Sequence, residues 1–152
     1  GAYNRAGYDL IRSSLDLKTT AMIMFDADVF KSVNDHFGHE TGDLVLQKIA
    51  SALKRNFRSD DYVCRIGVDE FVVFMVHINQ ETTKLIENKV AQINRELSDE
   101  SDGLPPISLS AGISYDPEGN DPDEVARQAD TALYHVKENG RNGYCFYTDK
   151  LK

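Results

Sequence analysis

No tryptophan occurs in these 152 residues, and only two cysteines do, Cys64 and Cys145. Neither belongs to a C-x-x-C pair, which excludes the common zinc and dithiol frameworks and leaves small buried thiols of a reducing compartment. No apolar run approaches the roughly 20 residues of a bilayer-spanning helix, and no charged-then-apolar leader opens the sequence, so a soluble piece is expected. Positive charge is scarce too: 17 Lys and Arg against 25 Asp and Glu give a net charge of −8. Nucleic-acid polymers and anionic membranes bind through an excess of Lys and Arg, so neither is expected as a partner. A small phosphorylated molecule remains compatible if metal ions and a few placed cations neutralise it. The phosphate-loop pattern G-x-x-x-x-G-K-[ST], the zinc-protease pattern H-E-x-x-H and the nucleophile elbow G-x-S-x-G are all missing. No repeat or linker-like tract divides the chain, and residues 1–152 are read as a single domain.

What is present is helical and strand periodicity in alternation. Tyr8, Leu10, Ile11 and Leu15 recur near helical spacing and predict an amphipathic helix over residues 4–17. Residues 20–25 are almost wholly apolar, the pattern of a central strand covered on both faces, and the run stops at Asp26. Residues 28–34 allow one turn of helix before Gly38 breaks it. Leu44, Val45, Ile49, Ala50 and Leu53 predict a helix over 41–57, and two apolar runs, 61–66 and 71–76, read as a hairpin turning at Gly67. A helix over 81–97, a polar loop over 98–106 and an alternating, half-buried strand over 107–114 follow. Asp121-Pro122 fits an N-cap with proline at the first helical position, opening a helix to about Asn139-Gly140. Residues 144–147 make a short last strand. The pattern predicts α/β layering, of α+β type: a mixed central β-sheet surrounded by helices, with one hairpin.

Three acids fall where strand ends would present them together: Asp26 after an apolar strand, and Asp69 with Glu70 at the hairpin tip. On their own the last two suit an ordinary solvated turn. Brought beside Asp26 they would form an oxygen-rich site suited to Mg²⁺ or Mn²⁺. A calcium EF-hand starting at Asp26-x-Asp28 fails, because Phe30, Lys31 and Phe37 occupy its third ligand, glycine and glutamate positions.

The full pattern reads D-A-D-V-F-K-S-V-N-D over residues 26–35, G-H-E-T-G-D over 38–43 and R-I-G-V-D-E-F over 65–71. It closely resembles the GGDEF family, the diguanylate cyclase domains of bacterial signalling proteins. Asn4-Arg5, Ser110-x-Gly112, Leu133-Tyr134-x-x-Lys137 and Gly140-Arg141-Asn142 extend the match in order along nearly the whole chain. The resemblance implies a fold similar to nucleotidyl cyclase and polymerase palm domains. It implies a reaction in which two GTP molecules, one on each protomer of a homodimer, become cyclic di-GMP with release of two pyrophosphates. By motif position, Asp26, Asp69 and Glu70 are the catalytic acids, and Asp26, Asp69 and the Ala27 carbonyl hold Mg²⁺ or Mn²⁺. Asn34 and Asp43 match the guanine-recognising positions, and their donor and acceptor groups suit the base edge. Lys31, Lys137 and Arg141 match phosphate contacts; the last two also suit a helix C-terminus facing its own dipole. His39 reads as structural. Arg58 and Asp61 match the R-x-x-D site at which cyclic di-GMP inhibits its own synthesis, although that spacing is common in solvated loops.

Val68 stands where the family has the second glycine of its signature. Glycine serves either a positive φ or a close approach of backbone to ligand, and valine suits neither. Strain of about 1–3 kcal/mol would leave the fold intact, whereas side-chain branches against a nucleotide displaced by about 1 Å cost ~10²-fold in rate. The implied activity is therefore a diguanylate cyclase slowed by Val68, or a silent domain that binds GTP or cyclic di-GMP as a regulatory module. Gly1 and Asn4-Arg5 match the end of the family's entry segment, so the chain is expected to be cut from a larger protein. An upstream sensor or membrane region would then control this cytoplasmic domain.

Overall fold

The strand that ends at Asp26 lies at the centre of the sheet. The computed structural model describes residues 2–116, 118–119 and 121–151; Gly1 lies outside them. Along the chain, α1 (Arg5–Ser14) leads through a 3₁₀ turn (Leu17–Thr19) to β1 (Ala21–Ala27), then α2 (Phe30–Phe37) and α3 (His39–Asn56). The hairpin β2 (Tyr62–Arg65) and β3 (Glu70–Met75) follows, then α4 (Thr82–Ser98), β4 (Leu109–Tyr115), α5 (Pro122–Glu138) and β5 (Gly143–Phe146). The order across the sheet is β2-β3-β1-β4-β5, with β1 antiparallel to both neighbours and β4 parallel to β5. The sheet is mixed and helix-covered, as the sequence predicts.

Alternation along β1 divides the core between the two faces of the sheet. Ala21, Ile23, Phe25 and Ala27 join Val45, Ile49 and Leu53 of α3 and Ile86, Val90 and Ile93 of α4. Met22 and Met24 face the other way, onto Tyr8 of α1 and Val125, Ala129 and Leu133 of α5. Because side chains alternate with period two, Asp26 falls on the α5 face with Met22 and Met24.

Three local expectations are corrected. The turn expected over 28–34 is two turns of helix that start later, α2 running from Phe30 to Phe37 before Gly38 (φ 89°) breaks it. The α3 helix begins at His39, immediately after that glycine. The strand β4 is buried along nearly its whole length rather than on one face. Its polar positions are small and internally satisfied: the Ser114 hydroxyl donates to Val125 O at 2.6 Å. At Gly112, a Cβ would lie 2.1 Å from Ala129 O. The bare glycine lets α5 pack onto the sheet backbone, where an added methyl would cost about 1–3 kcal/mol by overpacking.

Candidate active site

Register alone places two acids side by side. Asp26 on β1 is paired with Glu70 on β3, and the next ladder bond runs from Ala27 N to Asp69 O at 3.0 Å. Like charges directly opposite on neighbouring strands destabilise a sheet. Burial, then the charge of Asp26, raises the Asp69 pKa above the ordinary carboxylate range. Glu70 is more exposed, yet partial burial and then the charges of Asp26 and Asp69 push it the same way.

Cations from other elements oppose this charge. The Lys137 ammonium, near the end of α5, contacts the Asp26 carboxylate. Lys31 and Arg141 join Asp26, Ala27, Asp69 and Lys137 around one cleft of about 210 Å³. That is smaller than the usual 300–1,000 Å³ of a pocket for a whole organic ligand, and it suits phosphate groups with a cation. Among the described residues no three His, Cys, Asp or Glu side chains converge on a metal position. Mg²⁺ is commonly held by one or two carboxylates plus substrate phosphates, so Asp26 and Asp69 fit that cation as a pair with raised demand for positive charge.

The cleft floor is built from unusual backbone. Val29, the residue before α2, is in the left-handed region (φ 48°, ψ 38°), a conformation that costs a β-branched residue on the order of 1–3 kcal/mol. No side chain caps α2 there, so its first turn presents uncapped N–H groups on the cleft side. At the opposite wall Gly140, Arg141 and Asn142 have φ of 106°, 61° and 50°, a left-handed turn that carries Arg141 out of α5.

The two proposed base-recognising residues lie on neighbouring helices. A Cβ on Gly42 of α3 would fall 1.9 Å from the Asn34 side-chain oxygen, so glycine makes room for that amide next to Asp43. Asp43 is exposed and lines a separate cavity of about 420 Å³ with Tyr3, Leu46, Arg65 and Phe71. Neither residue borders the acidic cleft. His39 is exposed at the start of α3. Arg58 and Asp61 sit at the other end of the hairpin, where the Asp61 carboxylate accepts from Arg58 N and Val76 N, each at 3.0 Å.

Val68 does not have the positive φ for which a glycine would be needed, so the expected backbone strain is absent. Its side chain is 63% exposed at the hairpin tip, next to Asp69. The tip is held from below by a residue to which the sequence pattern assigned no role. Arg65 Nε donates to the carbonyls of Gly67 and Val68, each at 3.1 Å, and its Nη2 to Val68 O at 2.7 Å. The signal was the arginine two residues before a glycine turn, within reach of the turn's carbonyls. Burial pushes the Cys64 thiol up to about 11 and also raises Cys145, away from the reactive thiolate.

The sequence and the fold match known proteins. The family described as diguanylate cyclase, GGDEF domain, matches residues 8–143. The bifunctional diguanylate cyclase/cyclic di-GMP phosphodiesterase MucR of Pseudomonas aeruginosa is 36% identical over 138 residues, covering 90% of this chain and 20% of MucR. The chain likewise spans less than half the length of other curated relatives it matches. The GGDEF domain of PA1120 (TpbB or YfiN) from Pseudomonas aeruginosa superposes with a TM-score of 0.86 at 29% identity, covering 99% of this chain and 92% of that one. The coiled coil and GGDEF domain of DgcB from Caulobacter crescentus, in complex with c-di-GMP, gives 0.82 at 26% identity, covering 95% and 81%. Acids, cations, glycines and sheet order agree with one conclusion: the chain belongs to the GGDEF family of diguanylate cyclase domains.

Proposed function

We propose that this domain is one half of a dimeric diguanylate cyclase, condensing two GTP molecules into cyclic di-GMP. The observation that carries the reading is the convergence of Asp26 and Asp69 with Lys31, Lys137 and Arg141 on one phosphate-sized cleft. In each half-reaction the ribose 3′-hydroxyl of one GTP gives up its proton to solvent and its oxygen bonds to the α-phosphorus of the other. The bond to the β-phosphate breaks and pyrophosphate leaves with its electrons; two such steps close the ring.

Asp26 and Asp69, with the Ala27 carbonyl, would hold Mg²⁺ or Mn²⁺, and Glu70 adds to the negative field that attracts it. When bound, the cation supplies activation of the attacking oxygen and neutralisation of phosphate charge. Lys137 leaves Asp26 for the triphosphate, joining Lys31 and Arg141 on the leaving pyrophosphate. Asp43 accepts from the guanine N1 and N2 hydrogens while Asn34 donates and accepts at the base edge. Holding two such half-sites face to face supplies most of the orientation the reaction requires.

The exposed Val68 side chain beside Asp69 favours one second reading, a domain that binds GTP or cyclic di-GMP without turnover. The test is incubation with GTP and Mg²⁺ or Mn²⁺, in the isolated chain and in a version fused to a dimerising segment, with the product identified by mass. Cyclic di-GMP that disappears in Asp69→Ala supports the cyclase. GTP binding without product supports the silent domain, and a different cyclic product assigns another nucleotidyl cyclase activity. We further propose that cyclic di-GMP is retained at the Arg58–Asp61 turn, through the Arg58 guanidinium, with Asp61 fixing that turn by accepting the Arg58 N–H. Added product should then slow wild type and spare Arg58→Ala. Among the described residues no helix is long and apolar enough to cross a membrane. A sensor or anchoring region in a longer protein, with this domain in the cytoplasm, completes the proposal.

A further inference from the structure

Two residues beyond Asp26 lies a carboxylate that the proposed reaction leaves without a task. Asp28 is 7% exposed and, among the described residues, forms no ion pair. A buried charge without a counter-ion persists only where hydrogen bonds satisfy it. Three donors do so here. The Ser110 hydroxyl donates to Oδ1 at 2.6 Å, the Ser108 hydroxyl to Oδ2 at 2.7 Å, and the main-chain N–H of Asn142 to the same Oδ2 at 3.0 Å. The Asp28 N–H in turn donates to Ser108 O at 2.9 Å. One carboxylate thus ties the end of β1 and the start of β4 to the left-handed turn after α5.

That turn needs an external hold. Arg141 and Asn142 both have positive φ, which non-glycine residues keep only where their surroundings fix them, and the turn's own bond runs from Arg141 N back to Val136 O. Asp28 grips it on the far side of Arg141. We propose that Asp28 is a positioning residue for the nucleotide site: through the Asn142 N–H it fixes the Gly140–Asn142 turn and so aims Arg141 into the cleft that holds the phosphates. This rests on the cleft being the GTP site. The two serines explain why the anchor is stiff, since both reach Asp28 from the start of a buried strand. Charge on Asp28 matters less than its acceptors.

The experiment measures GTP affinity calorimetrically, with Mg²⁺ present, for wild type, Asp28→Ala, Asp28→Asn, Arg141→Ala and the double alanine variant. Losing a charge-assisted phosphate contact costs roughly tenfold in affinity. Asp28→Ala is expected to match Arg141→Ala, and the double variant to add less than about twofold. Asp28→Asn should keep most of the affinity, because its amide oxygen can still accept the Asn142 N–H while its NH₂ donates to Ser110. Hydrogen exchange at the Asn142 amide, followed without nucleotide, should accelerate in Asp28→Ala and not in Arg141→Ala. Should Asp28→Ala not fold, Ser108→Ala is expected to shift both readouts in the same direction and by less. Wild-type affinity in Asp28→Ala, full additivity in the double variant, or an unaltered Asn142 exchange rate each overturns the proposal alone. A wild type that does not bind GTP overturns the site reading and the proposal together.

Discussion

The β2–β3 hairpin carries acids at both ends, and the two ends hold them in opposite ways. At the closed-off end both oxygens of Asp61 accept main-chain N–H groups, those of Arg58 and Val76, and the Lys89 amine lies close enough to feel its charge. At the tip Asp69 and Glu70 face Asp26 across the ladder, and burial and mutual repulsion raise the proton affinity of both. An acid whose oxygens are filled by the chain builds the fold. An acid crowded by other acids, its charge offset in part by Lys137 and Arg65, suits a positive ligand.

The largest expected break in this contrast is Asp69→Ala in the fused dimer, which should lower cyclic di-GMP formation on the order of 10³-fold or more, since a ligand of the activating cation is worth several kcal/mol. Pyrophosphate release measures it, and turnover within tenfold of wild type would remove Asp69 from the chemistry. Next in size, Val68→Gly should raise turnover by about tenfold, by clearing side-chain bulk near the nucleotide. Its stability should change by less than about 1 kcal/mol, because no positive φ is relieved. The opposite end of the ribbon should show the reverse profile: Asp61→Ala is expected to cost about 2–3 kcal/mol in urea denaturation by leaving two N–H groups without their charged acceptor, with initial turnover per folded molecule, before product accumulates, unchanged. Smallest is a gain in stability. The raised proton affinity of Asp69 favours folding below the ordinary carboxylate range, and that contribution is lost as pH rises through the raised value. At neutral pH without metal, Asp69→Asn should therefore melt roughly 1–2 °C above wild type, the partly exposed site keeping the effect small. The gap should close as pH falls below the ordinary carboxylate range.

Much of this was legible because motif and periodicity agree. The apolar run before Asp26 is the buried centre of the sheet, and Asp121-Pro122 opens α5 with the Asp121 carboxylate accepting from Asp123 N at 2.9 Å. Strand ends alone brought Asp26 and Asp69 together, but Lys31, Lys137 and Arg141 joined them only through family resemblance, since no spacing rule joins Asp26 to residues more than a hundred positions away. One feature was misread for a physical reason. The serines at and just before β4 alternate with apolar residues as they would on a half-solvated strand, but their hydroxyls are consumed internally by Asp28 and Val125. At Val68 the sequence left strain and lost clearance both open, because a missing glycine signals either one, and the absence of a positive φ leaves clearance. Asp28 passed as a failed calcium ligand, its donors lying some 80 and 114 residues away.

Gly112 has a reach well beyond its own strand. A side chain there would meet the α5 backbone 2.1 Å away, whereas ordinary contact begins at 3.4 Å, so the helix would have to lift by about an ångström. Lys137 rides on that helix two turns further on, and its ammonium meets Asp26 on the face of the sheet that the helix covers. The absent side chain works as a spacer gauge: it sets the thickness of the sheet–helix sandwich, and through it the height at which a cation hangs over the acids. Drift at a position that touches no ligand would thus detune the site's electrostatics while leaving every one of its charged residues in the sequence.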